Sequence, residues 1–218
     1  MGKKEILQAI FFDFDGVIVD SNATKTEAFR SLFEGYDEDI VAEIIDYHRQ
    51  HGGISRVEKI RHAHEHIIKR HFSDEELESW AAAYSDLVTE KVIALEWIDG
   101  AKEFLDEIQN SLPIFVISGT PEDELRYIIE RREMSGYFHK ILGSPIKKPD
   151  HIRTILSDFR LTPGCCVFVG DALTDLHAAC ETGLHFIGVL GEVDFPVGTT
   201  VLPDCRGLQS AIKDHFIL

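Results

Sequence analysis

Five short apolar runs, Ala9–Phe12, Pro113–Ile117, Lys140–Leu142, Cys166–Val169 and Phe186–Val189, are continuous or nearly so instead of alternating with polar residues. A strand of that kind is covered on both faces, as in a parallel sheet sandwiched between helices. Helical signals fill the intervals between the later runs. Asp99 is an N-cap candidate ahead of Phe104, Leu105 and Ile108, which share one side of a helix. Thr120-Pro121-Glu122-Asp123 offers a capping hydroxyl, a first-turn Pro and two acids. Leu176, Ala179 and Cys180 fall on one face of a helix that ends at Gly183, a natural C′ residue. Strand and helix alternating from residue 97 onward predict an α/β domain, a Rossmann-like doubly wound parallel sheet.

One stretch breaks the alternation. Residues 21–96 contain no strand pattern, whereas Val57, Ile60, Ala63 and Ile67 keep helical spacing. Ser73-Asp74-Glu75-Glu76 reads as a capping box ahead of Leu77, Trp80, Tyr84, Leu87 and Val88. A strand-to-helix connection needs only a handful of residues, so this stretch is expected to be an inserted helical domain. The division is therefore 1–20 with 97–218 for the α/β core and 21–96 for the insert.

Charge narrows the partners. With 22 Lys plus Arg against 38 Asp plus Glu, the net charge of -16 disfavours nucleic acid and anionic membranes. No run of about 18 apolar residues appears and the N-terminus lacks a signal-peptide pattern, so a cytoplasmic protein is expected. Cys165, Cys166, Cys180 and Cys205 form no CxxC and are read as reduced, buried, apolar-like residues.

The chemistry sits at the strand ends. In open α/β sheets ligands bind outside the carboxyl ends of the strands. The first strand ends in Asp13-Phe14-Asp15-Gly16, and the fourth leads into Gly170-Asp171, with Asp175 one helical turn later. Taken singly, an Asp-Gly pair after a strand is an ordinary turn. Several carboxylates in one cleft repel each other unless a hard cation lies between them, and an all-oxygen set suits Mg²⁺. The second strand ends in Ser118-Gly119-Thr120 before a helix start, which offers a hydroxyl and backbone N–H groups to a phosphate. Lys147-Lys148-Pro149 follows the third strand and places a cation for the same anion.

Four segments, FFDFDGVIVDS at 11–21, FVISGTPEDEL at 115–125, GSPIKKPDHI at 143–152 and VFVGDALTD at 167–175, resemble in order and position the motifs of the haloacid dehalogenase superfamily of phosphohydrolases. The resemblance spans nearly the whole chain, and is to members with a helical cap inserted after the first motif, such as phosphoglycolate phosphatase and β-phosphoglucomutase. It implies the core strand order 3-2-1-4-5. It also implies Asp13 as a nucleophile that becomes an aspartyl phosphate and Asp15 as general acid and base. Mg²⁺ would be held by Asp13, the Asp15 carbonyl, Asp171 and Asp175, the last directly or through water. Ser118, Gly119 and Lys148 would bind the phosphoryl group. Ala172 stands where that family often has Ser, and Lys148-Pro149-Asp150 where it often has KPxP, leaving Lys147 as a rival cation. Thr120 is either a helix cap or a second hydroxyl for the phosphate.

The substrate implied is a small phosphorylated metabolite, hydrolysed in a phosphatase or moved within a sugar phosphate in a phosphomutase. Haloalkanoate dehalogenation does not fit, since that branch lacks the second aspartate. A catalytically idle binding protein on the same fold is disfavoured by the complete acid set. Gly52-Gly53-Ile54-Ser55-Arg56 resembles the specificity loop of such caps. Arg56 is either a bidentate ligand for a substrate anion or a surface arginine after a Ser55 cap. Lys25 either faces the substrate or lies in solvent. His62, His64, His66 and His71, amid Arg61, Lys69 and Arg70, read as a solvated basic face more readily than as a zinc site. Oligomeric state is not legible.

Overall fold

The computed structural model describes residues 4–217. Its strands are β1 (Glu5–Ile6), β2 (Ala9–Phe12), β3 (Ile114–Pro121), β4 (Lys140–Ser144), β5 (Cys166–Gly170), β6 (His185–Val189), β7 (Val201–Leu202) and β8 (Phe216–Ile217). Six of them form one parallel sheet in the order β4-β3-β2-β5-β6-β7. The first five reproduce the expected 3-2-1-4-5 order, and β7 adds a two-residue edge. β1 and β8 pair separately, also in parallel.

β2 is central because all four of its residues are apolar and fully enclosed. Successive side chains point to opposite faces. Phe11 packs on Phe115 and Phe168 at ring separations of 5.1 and 6.4 Å, in a layer roofed by α7 (Lys148–Asp158) and α8 (Leu173–Thr182). Phe12 points the other way and meets Phe104 of α5 (Ala101–Ile108) at 6.2 Å, in the core shared with α6 (Glu122–Arg131) and α9 (Leu208–His215). Burial of each such ring contributes about 2–3 kcal/mol.

Between β2 and α5 the chain makes only helices of any length: α1 (Asn22–Leu32), α2 (Glu38–Gln50), α3 (Arg56–His62), a π-helical turn Ala63–Ile67 and α4 (Asp74–Ala94). Phe29, Phe33, Ile44, Ile45, Ile60 and Val88 fill their common interior. The capping box opens α4: Ser73 Oγ accepts from the Glu76 N–H at 3.2 Å while the Ser73 N–H donates to Glu76 Oε2 at 3.0 Å.

Four local expectations are corrected. α5 is entered through Gly100, at φ 80°, and not through an Asp99 cap. Cys180 is exposed, because Asp175, Ala178 and Ala179 are the residues α8 turns inward. Pro121, not Thr120, occupies the N-cap of α6. His64 leaves the basic face altogether: it is fully buried, stacked on Phe72 at 3.7 Å and edge-on to Trp80 at 4.5 Å, with neither ring nitrogen hydrogen-bonded.

Candidate active site

Asp13 follows β2 with its N–H still bonded to the Val169 carbonyl at 2.9 Å, so the pairing of β2 with β5 extends to the residue that carries the carboxylate. Gly16 then turns the chain at φ 74°, where a Cβ would stand 2.2 Å from Asp171 Oδ2. Only glycine lets the two loops approach that closely. Asp171, at the end of β5, and Asp175, in the first turn of α8, complete a buried group whose carboxylate oxygens, with one from Asp13, lie within 4.8 Å of one another.

The acids impose their cost on protonation. Burial pushes the Asp13 carboxyl well above the usual range, against the pull of Lys148, with the charges of Asp175, Asp171 and Asp15 adding to the rise. Burial, then the Asp175 charge, pushes Asp171 up to about 7. Such a group is relieved by a cation, and its all-oxygen donors fit a hard divalent ion. Asp13, Asp171 and Asp175 would hold it; the Asp15 side chain points elsewhere.

Lys148 is the lysine that reaches this center. Its Nζ lies 2.9 Å from Asp13 Oδ2 and 2.5 Å from Asp175 Oδ1, whereas Lys147 is exposed and contributes its backbone to the start of α7. Burial works against the Lys148 ammonium, yet those two carboxylates hold its pKa above that of an ordinary lysine.

Asp15 belongs to a second, hydroxyl-lined half. Lys25 Nζ lies 2.5 Å from its Oδ2, Ser21 Oγ donates at 2.6 Å, Thr120 Oγ1 at 3.1 Å and Ser118 Oγ at 3.2 Å. Burial alone would raise this carboxyl, but the Lys25 charge and the hydrogen bonds from Lys25, Ser21 and Thr120 hold it below its ordinary value. Lys25 is therefore not in solvent: its ammonium also donates to Thr120 Oγ1 at 2.8 Å. The Thr120 hydroxyl is turned to the site and caps nothing.

The insert closes over these residues. Gly52 accepts a 2.7 Å hydrogen bond from Thr174 Oγ1, and the Gly53 carbonyl sits where a Cβ on Gly119 would come within 2.6 Å. Ser55 does cap α3, accepting from the Val57 N–H at 3.1 Å. Arg56, however, is 5% exposed and clamped. It donates from Nη1 to Glu124 Oε2 at 2.8 Å and to Ser85 Oγ at 2.6 Å, and from Nη2 to Glu124 Oε1 at 2.5 Å, above the Tyr84 ring. Its carboxylate partner is the chain's own, on α6.

Sequence reasoning missed three residues at this site. Asn22 Nδ2 donates to Asp171 Oδ2 at 2.6 Å, and Arg49 of α2 pairs with Glu192 across the cleft at 3.4 Å. Lys59 lines the same cavity. The signal was periodicity: Asn22 and Lys25, and likewise Arg56 and Lys59, are three apart and share a helix face.

Among curated proteins, the chain is 24% identical over 196 residues to a phosphorylated carbohydrates phosphatase of Thermotoga maritima, covering 83% of this chain and 84% of that one. Among solved structures it is similar to β-phosphoglucomutase of Clostridium difficile, with TM-score 0.78 and 20% identity over 96% of this chain and 97% of that one. It is likewise similar to CbbY of Rhodobacter sphaeroides in complex with phosphate, with TM-score 0.75 and 19% identity over 93% and 96%. At such identities these structures speak to the fold. The model of the haloacid dehalogenase-like hydrolases matches residues 10–189, most of the chain and all four strand-end segments, and the protein belongs to that family.

Proposed function

We propose that the protein is a Mg²⁺-dependent phosphatase that hydrolyses a small phosphorylated metabolite through a phosphorylated Asp13. The observation that carries this reading is the meeting of Asp13 and Lys148, at 2.9 Å, beside an Asp15 held by Ser118 and Thr120. A phosphoryl group placed there meets a nucleophile, a cation and a proton carrier together.

The chain's residues divide the work as follows. Asp15, ionised beside Lys25 in the free site, first takes the proton of a monoanionic phosphoryl group. Asp13 then attacks phosphorus through one carboxylate oxygen while Asp15 gives that proton to the departing ester oxygen, whose bond to phosphorus breaks. Asp15, now a carboxylate, takes a proton from the water that attacks the same phosphorus. The bond to Asp13 breaks, returning its carboxylate and releasing phosphate. Lys148 and the Ser118 and Gly119 groups carry the charge on the phosphoryl oxygens, and Lys25 aims Asp15. A divalent ion held by Asp13, Asp171, Asp175 and the Asp15 carbonyl would supply charge neutralisation on the phosphoryl oxygens. Residues 21–96 act as a cap that excludes water and selects the leaving group.

The Thermotoga relative's name supports a phosphorylated carbohydrate as substrate. Net charge -16 argues against nucleic acid and anionic lipid, and among the described residues no helix is long and apolar enough to cross a membrane. Four free thiols fit the reducing cytoplasm. Transfer to a second hydroxyl of the same sugar, as the name of the Clostridium neighbour suggests, is the competing outcome. The experiment is a panel of phosphorylated carbohydrates, with p-nitrophenyl phosphate as generic control, in the presence of Mg²⁺. Free phosphate is expected; an isomerised sugar phosphate without free phosphate would move the assignment to mutase, and no reaction at all would overturn it.

A further inference from the structure

The cavity over Asp13 and Asp15 is roofed by four cations of the insert: Lys25, Arg49, Arg56 and Lys59. Three of them already face a carboxylate. Lys25 has Asp15, Arg49 has Glu192 and Arg56 has Glu124. Lys59 has none within ion-pair distance among the described residues, although it is only 6% exposed. Its Nζ touches neutral acceptors, the His48 carbonyl at 3.0 Å and His48 Nδ1 at 3.3 Å. The His48 ring is packed on Phe29 at 4.3 Å and lines the cavity with Lys59. A buried ammonium without a counter-charge is costly, and one aimed into a ligand cavity gains its missing partner when an anion arrives.

We infer that Lys59, supported by His48, is a specificity-determining subsite for a second anionic group, carboxylate or phosphate, carried by the part of the substrate that leaves. Arg56, the residue the sequence nominates for this task, is committed to Glu124. Two further observations agree. Burial, followed by the Lys25 charge, lowers the Lys59 pKa to about 7, so the amine sits where an added negative charge has most to offer it. Burial also holds His48 neutral, so its ring accepts from the ammonium without opposing it. The phosphoryl group itself is met by Lys148 and Ser118 of the core, whereas Lys59 belongs to α3 of the insert and lines the same cavity as Asp13, Asp15 and Ser118, free for the remainder of the molecule.

The inference rests on the phosphatase reading, and matched probes separate the two. One pair is 2-phosphoglycolate against 2-hydroxyethyl phosphate; the other is propane-1,3-diol bisphosphate against its monophosphate. Within each pair the skeleton is kept and only the second anion changes, so the two pairs distinguish carboxylate from phosphate. The readout is the ratio of kcat/KM, anionic over neutral, for wild type, Lys59→Met and Lys59→Arg. A hydrogen-bonded charge contact of this kind is worth roughly ten- to a hundredfold. Wild type should favour the anionic member of one pair by about that factor, Lys59→Met should bring the ratio to within about threefold of one, and Lys59→Arg should restore most of it. No anionic preference in wild type, or a ratio untouched by Lys59→Met, overturns the inference. If phosphate is released from none of these probes nor from p-nitrophenyl phosphate, the phosphatase reading fails. The calorimetric Kd ratio of the same pairs, wild type against Lys59→Met, then decides the subsite by the same criterion. Should Lys59→Met lack a folded circular dichroism spectrum, Lys59→Gln takes its place.

Discussion

Arg56→Ala should damage the enzyme in a way that does not depend on the substrate. The guanidinium makes two hydrogen bonds to Glu124, one to Ser85, and lies 4.7 Å from the center of the Tyr84 ring. The side chains of the pair are 5% and 11% exposed. Removing one partner of a buried ion pair leaves the other charge unmatched, at about 3–5 kcal/mol. Arg56→Ala strands Glu124 and also removes the contact with Tyr84, so it should lie at the upper end. Glu124→Ala leaves the guanidinium with Ser85 and Tyr84 and should lie at the lower end. The double variant strands neither charge, so the two costs should fall short of additivity by about 1.5–3 kcal/mol. Urea unfolding of the four proteins measures that coupling. Because the pair ties α3 of the insert to α6 of the core, Arg56→Ala should lower kcat/KM by similar factors on p-nitrophenyl phosphate and on a substrate with a second anion. Coupling below about 0.5 kcal/mol would refute the clamp. A loss confined to the doubly anionic substrate would show that Arg56 meets the leaving group after all.

Three further outcomes follow from the same geometry. Asp13→Asn should fold yet lose more than about a thousandfold in kcat, since an amide cannot take up the phosphoryl group; turnover within about tenfold of wild type removes Asp13 as nucleophile. Mg²⁺ should raise the melting temperature of wild type and not of Asp171→Ala, by about 2.7 kcal/mol of stability at a hundredfold excess over Kd, and EDTA should abolish turnover; full activity after exhaustive chelation would sink the metal assignment. Stability should fall in acid partly through His64, whose burial depresses its pKa from 6.5 to about 4. The unfolded chain takes up this proton below about pH 6.5 and the folded one only near pH 4, so the contribution is complete above 6.5 and lost as pH falls. At pH 5 that difference amounts to about 2 kcal/mol. His64→Leu, which also removes two unpaired ring nitrogens, should therefore outstrip wild type by more at pH 5 than at pH 7 in urea denaturation.

What the sequence disclosed and what it concealed divide along a physical line. Continuous apolar runs can be buried on two faces in few ways, so a parallel sheet between helices and the helical insert were legible, whereas the strand order came from the family resemblance. Asp13, Asp15, Ser118, Lys148 and Asp171 were legible because strand ends of a parallel sheet converge on one edge. The insert offers no such rule. Its helices pack by side-chain fit, and whether Arg56 meets a substrate or Glu124 depends on how α3 approaches α6, which no local pattern encodes. His64 was hidden for a related reason. The π-helical turn Ala63–Ile67 carries it into an aromatic pocket lined by Phe33, Phe72 and Trp80. Of the two readings left open for Thr120 the cap fails, although Thr-Pro-Glu-Asp satisfies one locally; the Asp15 carboxylate, 105 residues away in the chain, takes its hydroxyl instead.

The allocation of cations then explains how a chain of net charge -16 can accept an anion at all. At physiological ionic strength the Debye length is about 8 Å, so the distant surplus of acids is largely screened from the cavity. What the ligand meets is the near set. On the sheet side Lys148 is shared between Asp13 and Asp175, and the acids there await a divalent ion. On the insert side Lys25, Arg49 and Arg56 are neutralised by carboxylates of the core and so fasten the insert down. Lys59 alone among them has no carboxylate of the described chain within ion-pair distance and rests on the His48 carbonyl and ring instead. Fastening and recognition therefore fall to different residues of the same roof: three pairs set where the insert sits, and the fourth cation is left to choose what lies beneath it.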